Sequence, residues 1–294
     1  MVFVGLTAGG LVPLGGAEGL RFEGGRAFRH TATLVGFGPR TPGSSGHRQA
    51  VLYLESQLRR LGYRPQRDEF EARTPAGVLR MTNLVACRGQ GSQMLVVSGH
   101  YDTKKIPGTR FIGANDGGSS AGFLLELARV AAGKPWRRRL CLVWFDGEEA
   151  FENWGPTDGL YGSRNLAARW QAEGRLAQIA ALINVDMIGD RDLHLQQELN
   201  STGWLRELVW RVAGELGYAA SFDGLPGAIE DDHIPFLERG VPALDLIDLL
   251  YGPANAWWHT AQDTLDKLSA QSFQVVGDVV WRALEELDGQ GLTR

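Results

Sequence analysis

Apolar residues recur along the chain in two patterns, which predict strands and helices in turn. Four short runs are almost continuously apolar, as expected for strands that are covered on both faces of a sheet. These runs are Leu84 to Cys87, Met94 to Val97, Leu140 to Phe145 and Leu182 to Val185. A fifth run, Val241 to Ile247, predicts a further strand.

Other apolar residues lie three or four positions apart, as on one face of an amphipathic helix. The helical segments are marked by Val51, Leu54, Leu58 and Leu61 before Gly62, by Ala121, Leu124, Leu125 and Ala128, by Leu205, Leu208, Val209 and Val212, and by Val275 to Leu287. Strands that alternate with helices predict an α/β fold, with an open, mostly parallel central sheet and helices on both faces.

The chain shows no internal repeat, heptad array or low-complexity linker, so we expect one catalytic α/β domain over residues 26–294. Residues 1–25 are expected to be a leader or a flexible N-terminus. Val2 to Ala17 is apolar and rich in glycine and ends in the small residues Gly15, Gly16 and Ala17, but no Lys or Arg precedes it. This segment is compatible both with a cleaved signal peptide and with a plain flexible start.

Composition narrows the class of protein. The 294 residues are 44% hydrophobic and 22% charged, the balance of a soluble enzyme with a sizeable core. The net charge of -4 argues against a nucleic-acid partner, and no apolar run is long and clean enough to predict a transmembrane helix. We expect a monomer without a membrane span.

The two cysteines, Cys87 and Cys141, each lie in an apolar run. Two cysteines are too few for a disulfide scaffold. We therefore expect both to be buried free thiols.

Acidic residues follow the C-terminal ends of three predicted strands. Asp102 comes after Val97, the segment Asp146 to Glu149 after Val143, and Asp186 after Val185. Open α/β sheets bind ligands in the crevice beyond this end of their strands. The coincidence of three strands predicts a ligand site there.

Ten polar residues are candidates for this crevice, because they are costly to bury without partners. They are His100, Asp102, Asp116, Glu148, Glu149, Asp186, Asp231, Asp232, His233 and His259. Taken singly, each motif is more often structural: Asn115 to Gly118 can form a turn and helix N-cap, and Asp231 to His233 can begin a helix. Taken together, clustered carboxylates favour a bound cation. Carboxylate and imidazole ligands suit zinc, which keeps about three protein ligands and an open position when it is catalytic.

Glu148 and Glu149 are the most informative pair. Adjacent side chains diverge, so one carboxylate can hold a metal ion while its neighbour faces the substrate. A desolvated glutamate beside other acids can take up and return a proton near neutral pH. The pair therefore predicts hydrolase or acyl-transfer chemistry.

These residues resemble the zinc-aminopeptidase-like clan and, within it, the glutaminyl cyclases. The clan-level resemblance covers about Gly38 to Leu268 and includes Gly-Pro-Arg-Thr-Pro-Gly-Ser, Gly-His-Tyr-Asp and Gly-Ala-Asn-Asp-Gly. The cyclase-level resemblance lies in Phe-Asp-Gly-Glu-Glu-Ala-Phe, in the Trp-Gly-Pro-Thr-Asp-Gly-Leu-Tyr-Gly-Ser-Arg that begins at Trp154, in Glu-Asp-Asp-His-Ile-Pro-Phe and in Trp-His-Thr. Ordinary aminopeptidases of the clan look shorter after the Glu-Glu pair and lack this tryptophan-bearing insert.

The resemblance implies a role for each matching residue. Asp116, Glu149 and His259 would bind a single Zn²⁺, and Glu148 would be the general base and acid. Asp186 and Asp231 would form a supporting acidic network, and Trp154 and Trp258 would line the substrate pocket. The implied substrates are peptides or proteins with an N-terminal glutamine, which the enzyme would cyclise to pyroglutamate with release of ammonia. The resemblance slightly favours a periplasmic or secreted enzyme over a cytoplasmic one.

The sequence also departs from the animal cyclases. They carry a histidine in the strand where this chain has Asp245, and a cysteine just before the His-Tyr-Asp segment, where Ser98 and Gly99 stand here. Asp248 to Ala256 does not match closely, so Tyr251 is only a candidate for the pocket rim. These differences indicate a bacterial-type cyclase.

The alternative function is that of a dinuclear zinc aminopeptidase of the same clan. His100 and Asp186 match that clan's second-metal ligands, and Asp116 would then bridge two ions. Two metal ions about 3.5–4 Å apart would activate water for peptide hydrolysis. The Trp154 insert favours cyclisation, whereas His100 does not discriminate, since the cyclases retain it too. A third possibility, an inactive binding module, is disfavoured because no ligand or base is lost.

Overall fold

A six-stranded mixed sheet forms the centre of the molecule in the computed structural model, which describes residues 20–289. Its strands are β1 (Gln66–Thr74), β2 (Gly77–Arg88), β3 (Met94–His100), β4 (Arg139–Phe145), β5 (Ile179–Asp186) and β8 (Ala243–Ile247), in the order β1-β2-β4-β3-β5-β8. A second, parallel pair joins β6 (Gln196–Glu198) to β7 (Gly224–Gly227). The predicted α/β class is confirmed.

The sheet is parallel only where the chain crosses over between strands. β4, β3, β5 and β8 pair in parallel, whereas β1 pairs with β2, and β2 with β4, in antiparallel orientation. The prediction of a mostly parallel sheet therefore describes four of the six strands. The apolar run of β2 gave no sign of its direction, because both faces of the sheet are covered at that position.

β1 lies at the edge of the sheet and is not predicted by the apolar pattern of the sequence. Its residues are mostly polar, and only Asp68 and Ala72 are buried. Continuous apolar runs mark strands that are covered on two faces, so an edge strand of this kind lacks that signal.

Helices cover both faces of the sheet, as predicted. They are α1 (Gly24–Gly36), α2 (Ser45–Arg60), α3 (Gly118–Ala132), α4 (Tyr161–Ala172), α5 (Gly203–Glu215), α6 (Ile234–Leu237) and α7 (Ala270–Gly289). Successive residues of β3 enter different cores: Leu95 and Val97 pack with α1, α2, α3, α5 and α7, and Val96 packs with α4 and α6. This alternation is what a strand buried on both faces requires.

The two cysteines are joined, which corrects the expectation of free thiols. Cys87 of β2 and Cys141 of β4 are direct partners in the antiparallel ladder, with Cα atoms 4.0 Å apart, and form a disulfide. They are 54 residues apart in sequence, so their pairing depends on which strands are neighbours. The local apolar pattern could not show this.

The predicted leader and the predicted extent of the domain both involve the ends of the chain. Residues 1–19, which hold most of the predicted leader 1–25, and residues 290–294 lie outside the described residues. The single catalytic domain over 26–294 stays a prediction. Within residues 20–289, no helix combines the length and apolarity needed to cross a bilayer.

Candidate active site

The site forms where the loops after β3, β4 and β5 meet at one edge of the sheet. His100 ends β3, Glu148 and Glu149 follow β4, and Asp186 ends β5. Because these strands are parallel neighbours, their C-terminal ends bring these side chains together. The sequence-based expectation of a crevice at this edge is confirmed.

Asp116 is held at the site by the turn that starts α3. Gly117, the next residue, has a φ of 70°, and a Cβ there would meet the His100 ring and the Asp102 carbonyl. Asp263 accepts hydrogen bonds from the backbone N–H groups of Asn115 and Asp116, at 2.8 and 3.2 Å. Only glycine fits this turn, and the Asp263 carboxylate fixes its position.

Asp263 and Tyr251 were not foreseen in this role. Tyr251 was a candidate for the pocket rim, but it is fully buried and donates a hydrogen bond of 2.7 Å to Asp263. The carboxylate of Asp263 thus accepts three hydrogen bonds. Burial and the charge of Asp116 nevertheless raise the pKa of Asp263 to about 7.

Asp116, Glu149 and His259 form a set of potential metal ligands. Their ligand atoms all lie within 4.8 Å of one another. His259 Nε2 is 3.2 Å from Asp116 Oδ2 and 3.3 Å from Glu149 Oε2. Asp116 Oδ2 is buried and makes no hydrogen bond, although His259 Nε2 is near it, so a cation between the two atoms would satisfy this oxygen. Two carboxylates and an imidazole, with the pocket beside them, fit a zinc site with one open position.

His259 reaches this set through an uncommon backbone conformation. Its φ of 53° lies in the left-handed region, which costs about 1–3 kcal/mol for residues other than glycine. The imidazole stacks on Trp258, with ring centroids 4.0 Å apart, and meets Phe111 edge-on at 5.8 Å. These aromatic contacts hold the imidazole toward the two carboxylates.

His100, Asp116 and Asp186 form a second cluster that shares Asp116 with the first. His100 Nε2 lies 3.2 Å from Asp186 Oδ1 and 3.3 Å from Asp116 Oδ1, and Nδ1 lies 3.3 Å from Asp102 Oδ1. Burial lowers the pKa of His100, but these carboxylates raise it, and the net result is well above the usual value. Both ring nitrogens are therefore engaged by carboxylates.

Glu148 is 7% exposed and lines the same pocket. Its backbone N–H donates to Asp102 Oδ1 at 3.1 Å, which fixes the start of the loop after β4. Burial raises the pKa of Glu148 well above its usual value, and the charges of Glu149 and Asp231 raise it further, against the opposing effect of His100. The environment is that of a carboxyl group suited to exchanging protons.

Asp231 lies deeper, in a buried polar network. Asn184 donates from Nδ2 to Asp231 Oδ2 at 3.0 Å and to Asp245 Oδ1 at 3.1 Å, and Ser98 Oγ donates to Asn184 Oδ1 at 2.8 Å. Burial, reinforced by Asp186, raises the pKa of Asp231 to about 6. Asp245, which stands where animal cyclases carry histidine, thus shares one amide with Asp231.

The pocket has a volume of about 310 Å³, and the indoles of two tryptophans form part of its wall. Trp154 and Trp258 are 42% and 41% exposed, and Trp154 Nε1 donates to Glu230 Oε2 at 3.1 Å. Lys104 also lines the pocket, with Nζ 3.4 Å from Glu149 Oε2. Nothing in the local sequence around Lys104 marked it as part of the site.

Of the ten polar candidates for the crevice, four are buried and do not line the pocket: His100, Asp102, Asp232 and His233. All eight residues to which the resemblance assigns a role do line it. They are Asp116, Glu148, Glu149, Trp154, Asp186, Asp231, Trp258 and His259. Their proximity agrees with the ligand, base, network and wall roles predicted for them, and those roles stay predictions. Four further residues belong to the site or to its support and are not predicted by the sequence pattern: Lys104, Asn184, Glu230 and Asp263.

The chain is similar to a family of peptidases and to several glutaminyl cyclases. Residues 83–284 match the family described as Peptidase family M28. Glutaminyl-peptide cyclotransferase of Drosophila melanogaster is 34% identical over 258 residues, which cover 76% of this chain and 70% of that protein. Glutaminyl cyclase of an Acidobacteriales bacterium superimposes with a TM-score of 0.89 at 37% identity, covering 98% of this chain and 100% of that one.

A solved structure described as a Zn-dependent exopeptidase, from Parabacteroides distasonis, is also similar. It has a TM-score of 0.81 and 26% identity, covering 92% of this chain and 99% of that one.

Proposed function

The chain belongs to peptidase family M28 and, within it, to the glutaminyl-peptide cyclotransferases, and from this membership we propose that it converts the N-terminal glutamine of peptides to pyroglutamate with release of ammonia. The observation that carries the proposal is the pocket itself. Its wall combines the ligand set Asp116, Glu149 and His259 with the buried carboxyl group of Glu148 and two indoles.

The ligand set supports one zinc ion per chain. Asp116, Glu149 and His259 would hold it, and its chemistry would be Lewis-acid polarisation of the γ-carboxamide carbonyl. The second cluster is the poorer metal site, because one of its carboxylate oxygens, Asp186 Oδ1, is already used by backbone and side-chain donors. This oxygen accepts hydrogen bonds from Met187 N at 2.8 Å and Ser120 Oγ at 3.4 Å. Asp116 Oδ2 of the first cluster, by contrast, accepts no hydrogen bond.

Glu148 moves the proton in this scheme. Its carboxylate accepts a proton from the α-amine as the nitrogen attacks the γ-carboxamide carbon and the new C–N bond forms. Glu148 then returns that proton to the amide nitrogen as the old C–N bond breaks, so ammonia leaves and the five-membered lactam remains. One proton is taken and one is delivered, and Glu148 ends as it began.

The walls of the pocket favour cyclisation over hydrolysis. Nucleophile and electrophile belong to one residue, so the enzyme mainly needs to hold glutamine folded. Trp154 and Trp258 provide flat apolar surfaces for that purpose and reduce the space for a competing water. The carboxylates of Asp186 and Asp231 line the same pocket as Glu148, and Asp231 is held there by Asn184.

The test is incubation of the zinc-loaded enzyme with a peptide that begins with glutamine, followed by mass spectrometry. We expect the mass to fall by that of one ammonia, and the reaction to stop after treatment with a chelator. A peptide that is unchanged or shortened would contradict the proposal.

Dinuclear zinc aminopeptidase activity is the second candidate, and the cluster of His100, Asp116 and Asp186 is the observation that favours it. It predicts two tightly held zinc ions per chain and release of free amino acids. Metal analysis of the purified protein together with amino-acid analysis of the products separates the two candidates.

A further inference from the structure

The pocket has a buried floor and a more exposed rim. The carboxyl groups at its floor are buried: Glu148 is 7%, Asp116 3% and Asp231 2% exposed. Trp154 and Trp258, each about two-fifths exposed, form its rim. In the proposed cyclisation the α-amine and the carboxamide of glutamine both lie at the floor beside Glu148. The residue that follows glutamine must therefore leave past the rim.

Glu230 places a negative charge on that rim. It lines the pocket, its side chain is exposed, and its Oε2 accepts the hydrogen bond from Trp154 Nε1 at 3.1 Å. This bond holds the carboxylate at the mouth beside the indole and leaves Oε1 available to a ligand. The charge is thus fixed where the second residue of the peptide passes.

The charge of Glu230 is not matched by a cation in the structure. Among residues 20–289, no Lys, Arg or His nitrogen lies within 4.0 Å of its carboxylate. Lys104 lines the same pocket but is engaged elsewhere: its Nζ donates to the Ala150 carbonyl at 2.8 Å and approaches Glu149. A cation from the substrate can therefore supply the missing partner.

We infer that Glu230 selects the residue after glutamine, favouring a basic side chain and disfavouring an acidic one. The inference rests on the proposed cyclisation and deepens it by naming a substrate class: peptides that begin with glutamine followed by lysine or arginine. An exposed charge changes the affinity for a substrate only modestly. Attraction of a basic substrate and repulsion of an acidic one nevertheless both contribute to the ratio of their kcat/KM values.

The experiment compares three amidated peptides that differ only in the second residue, Gln-Ala, Gln-Lys and Gln-Glu, with zinc-loaded enzyme. We expect kcat/KM for Gln-Lys to exceed that for Gln-Glu by about threefold to tenfold at low ionic strength. The ratio should fall toward one in about 1 M NaCl, where exposed charges are screened.

Two variants at Glu230 sharpen the comparison. Glu230→Gln keeps an acceptor for Trp154 but removes the charge, so kcat/KM should fall for Gln-Lys and rise for Gln-Glu. Glu230→Lys should reverse the preference. Opposite changes for two substrates cannot arise from general damage to the fold. Glu207→Gln, an equal loss of charge at an exposed position on α5 that does not line the pocket, is the matched control and should keep the wild-type ratio.

The outcomes separate this inference from the function on which it rests. Equal rates for all three peptides in the wild type would overturn the charge selectivity while leaving cyclisation intact. A uniform loss in Glu230→Gln would also overturn it, since the side chain would then act on the shared glutamine. If none of the peptides released ammonia, the proposed function would fail, and the selectivity with it.

Discussion

Glu148 and Glu149 are neighbours in the chain but meet different partners. Glu149 Oε2 lies 3.3 Å from His259 Nε2, and its Oε1 accepts a hydrogen bond from the Lys104 backbone at 3.2 Å. Glu148 faces the pocket beside the acids Asp231 and Asp232, which help to raise its pKa. The divergence expected of adjacent side chains is therefore present, and it allows the two roles to be tested separately.

Glu148→Gln should keep zinc and lose turnover. The amide is nearly the same size but cannot accept the proton, so we expect kcat to fall by about 10²–10⁴-fold. Steady-state kinetics and elemental analysis of the same preparation measure both properties. Glu152→Gln, at an exposed position four residues further on, is the control and should retain full activity.

Glu149→Ala should weaken zinc retention, because it removes one ligand of three. Zinc content after dialysis is the measurement, with Glu148→Gln treated in parallel. If both variants kept their metal and their activity, the assignment of the two roles would be wrong.

Asn184 is a positioning residue by its contacts. Its single NH₂ group bridges the buried carboxylates of Asp231 and Asp245, and Ser98 fixes the orientation of the amide. Asn184→Leu keeps a similar volume but removes both donors. We expect kcat to fall by about tenfold or more, with KM nearly unchanged, since small displacements of catalytic groups are costly.

The control for Asn184 is Asn165→Leu. Asn165 also donates to a carboxylate, Asp68 Oδ2 at 3.0 Å, but it does not line the pocket. A loss of stability in both variants with kcat per zinc-loaded molecule unchanged would assign Asn184 a purely structural role.

At the scale of elements, the disulfide ties β2 to β4 across 54 residues of sequence. Neither cysteine lines the pocket of the candidate site. Replacing both by alanine should lower the free energy of unfolding by about 2–4 kcal/mol with little change in kcat, because the cross-link restricts the unfolded chain. Urea unfolding with and without reductant measures this. The wild type should respond to reductant and the double variant should not; equal responses would contradict the prediction.

Helices α1 and α3 approach each other closely at Gly122. A Cβ on Gly122 would overlap Thr31 of α1 and its backbone. Gly122→Ala should therefore destabilise the protein by about 1–3 kcal/mol through overpacking, which thermal or urea unfolding measures.

Gly214 of α5 provides the matched helical control. A Cβ there would meet nothing within 4 Å, so Gly214→Ala should stabilise the protein by about 0.5–1 kcal/mol. Effects of the same sign in the two variants would show that close packing at Gly122 is not the cause.

At the scale of the whole molecule, the candidate zinc site joins distant parts of the chain. Asp116 lies between β3 and α3, Glu149 follows β4, and His259 lies between β8 and α7. A ligand that binds only the folded state stabilises it by mass action, about 2.7 kcal/mol at a hundredfold excess over Kd. Metal binding should therefore act on the stability of the entire domain.

Zinc added to chelator-treated protein should raise Tm by roughly 4–5 °C at that excess. Differential scanning calorimetry measures the shift, and hydrogen exchange should slow in the three loops that carry the ligands. Glu149→Ala should show a smaller shift. An identical Tm with and without zinc would contradict a metal site built from these loops.

The sequence by itself determined the strands that are covered on both faces, the helices with one apolar face, the acids beyond β3, β4 and β5, and the motifs of the family. Each of these features is encoded within a few consecutive residues, because burial on two faces, helical spacing and loop chemistry are local properties.

Only the tertiary structure decided the strand directions, the Cys87–Cys141 bond and the support of the site. Asp263 holds Asp116 from 147 residues away, and Asn184 reaches Asp245 across 61. Such contacts depend on which segments become neighbours when the sheet assembles. The residues next to Lys104 in the sequence therefore do not indicate that its side chain lines the pocket. The residue types of the candidate site can therefore be predicted from the sequence, whereas the positions of their side chains depend on how the elements pack.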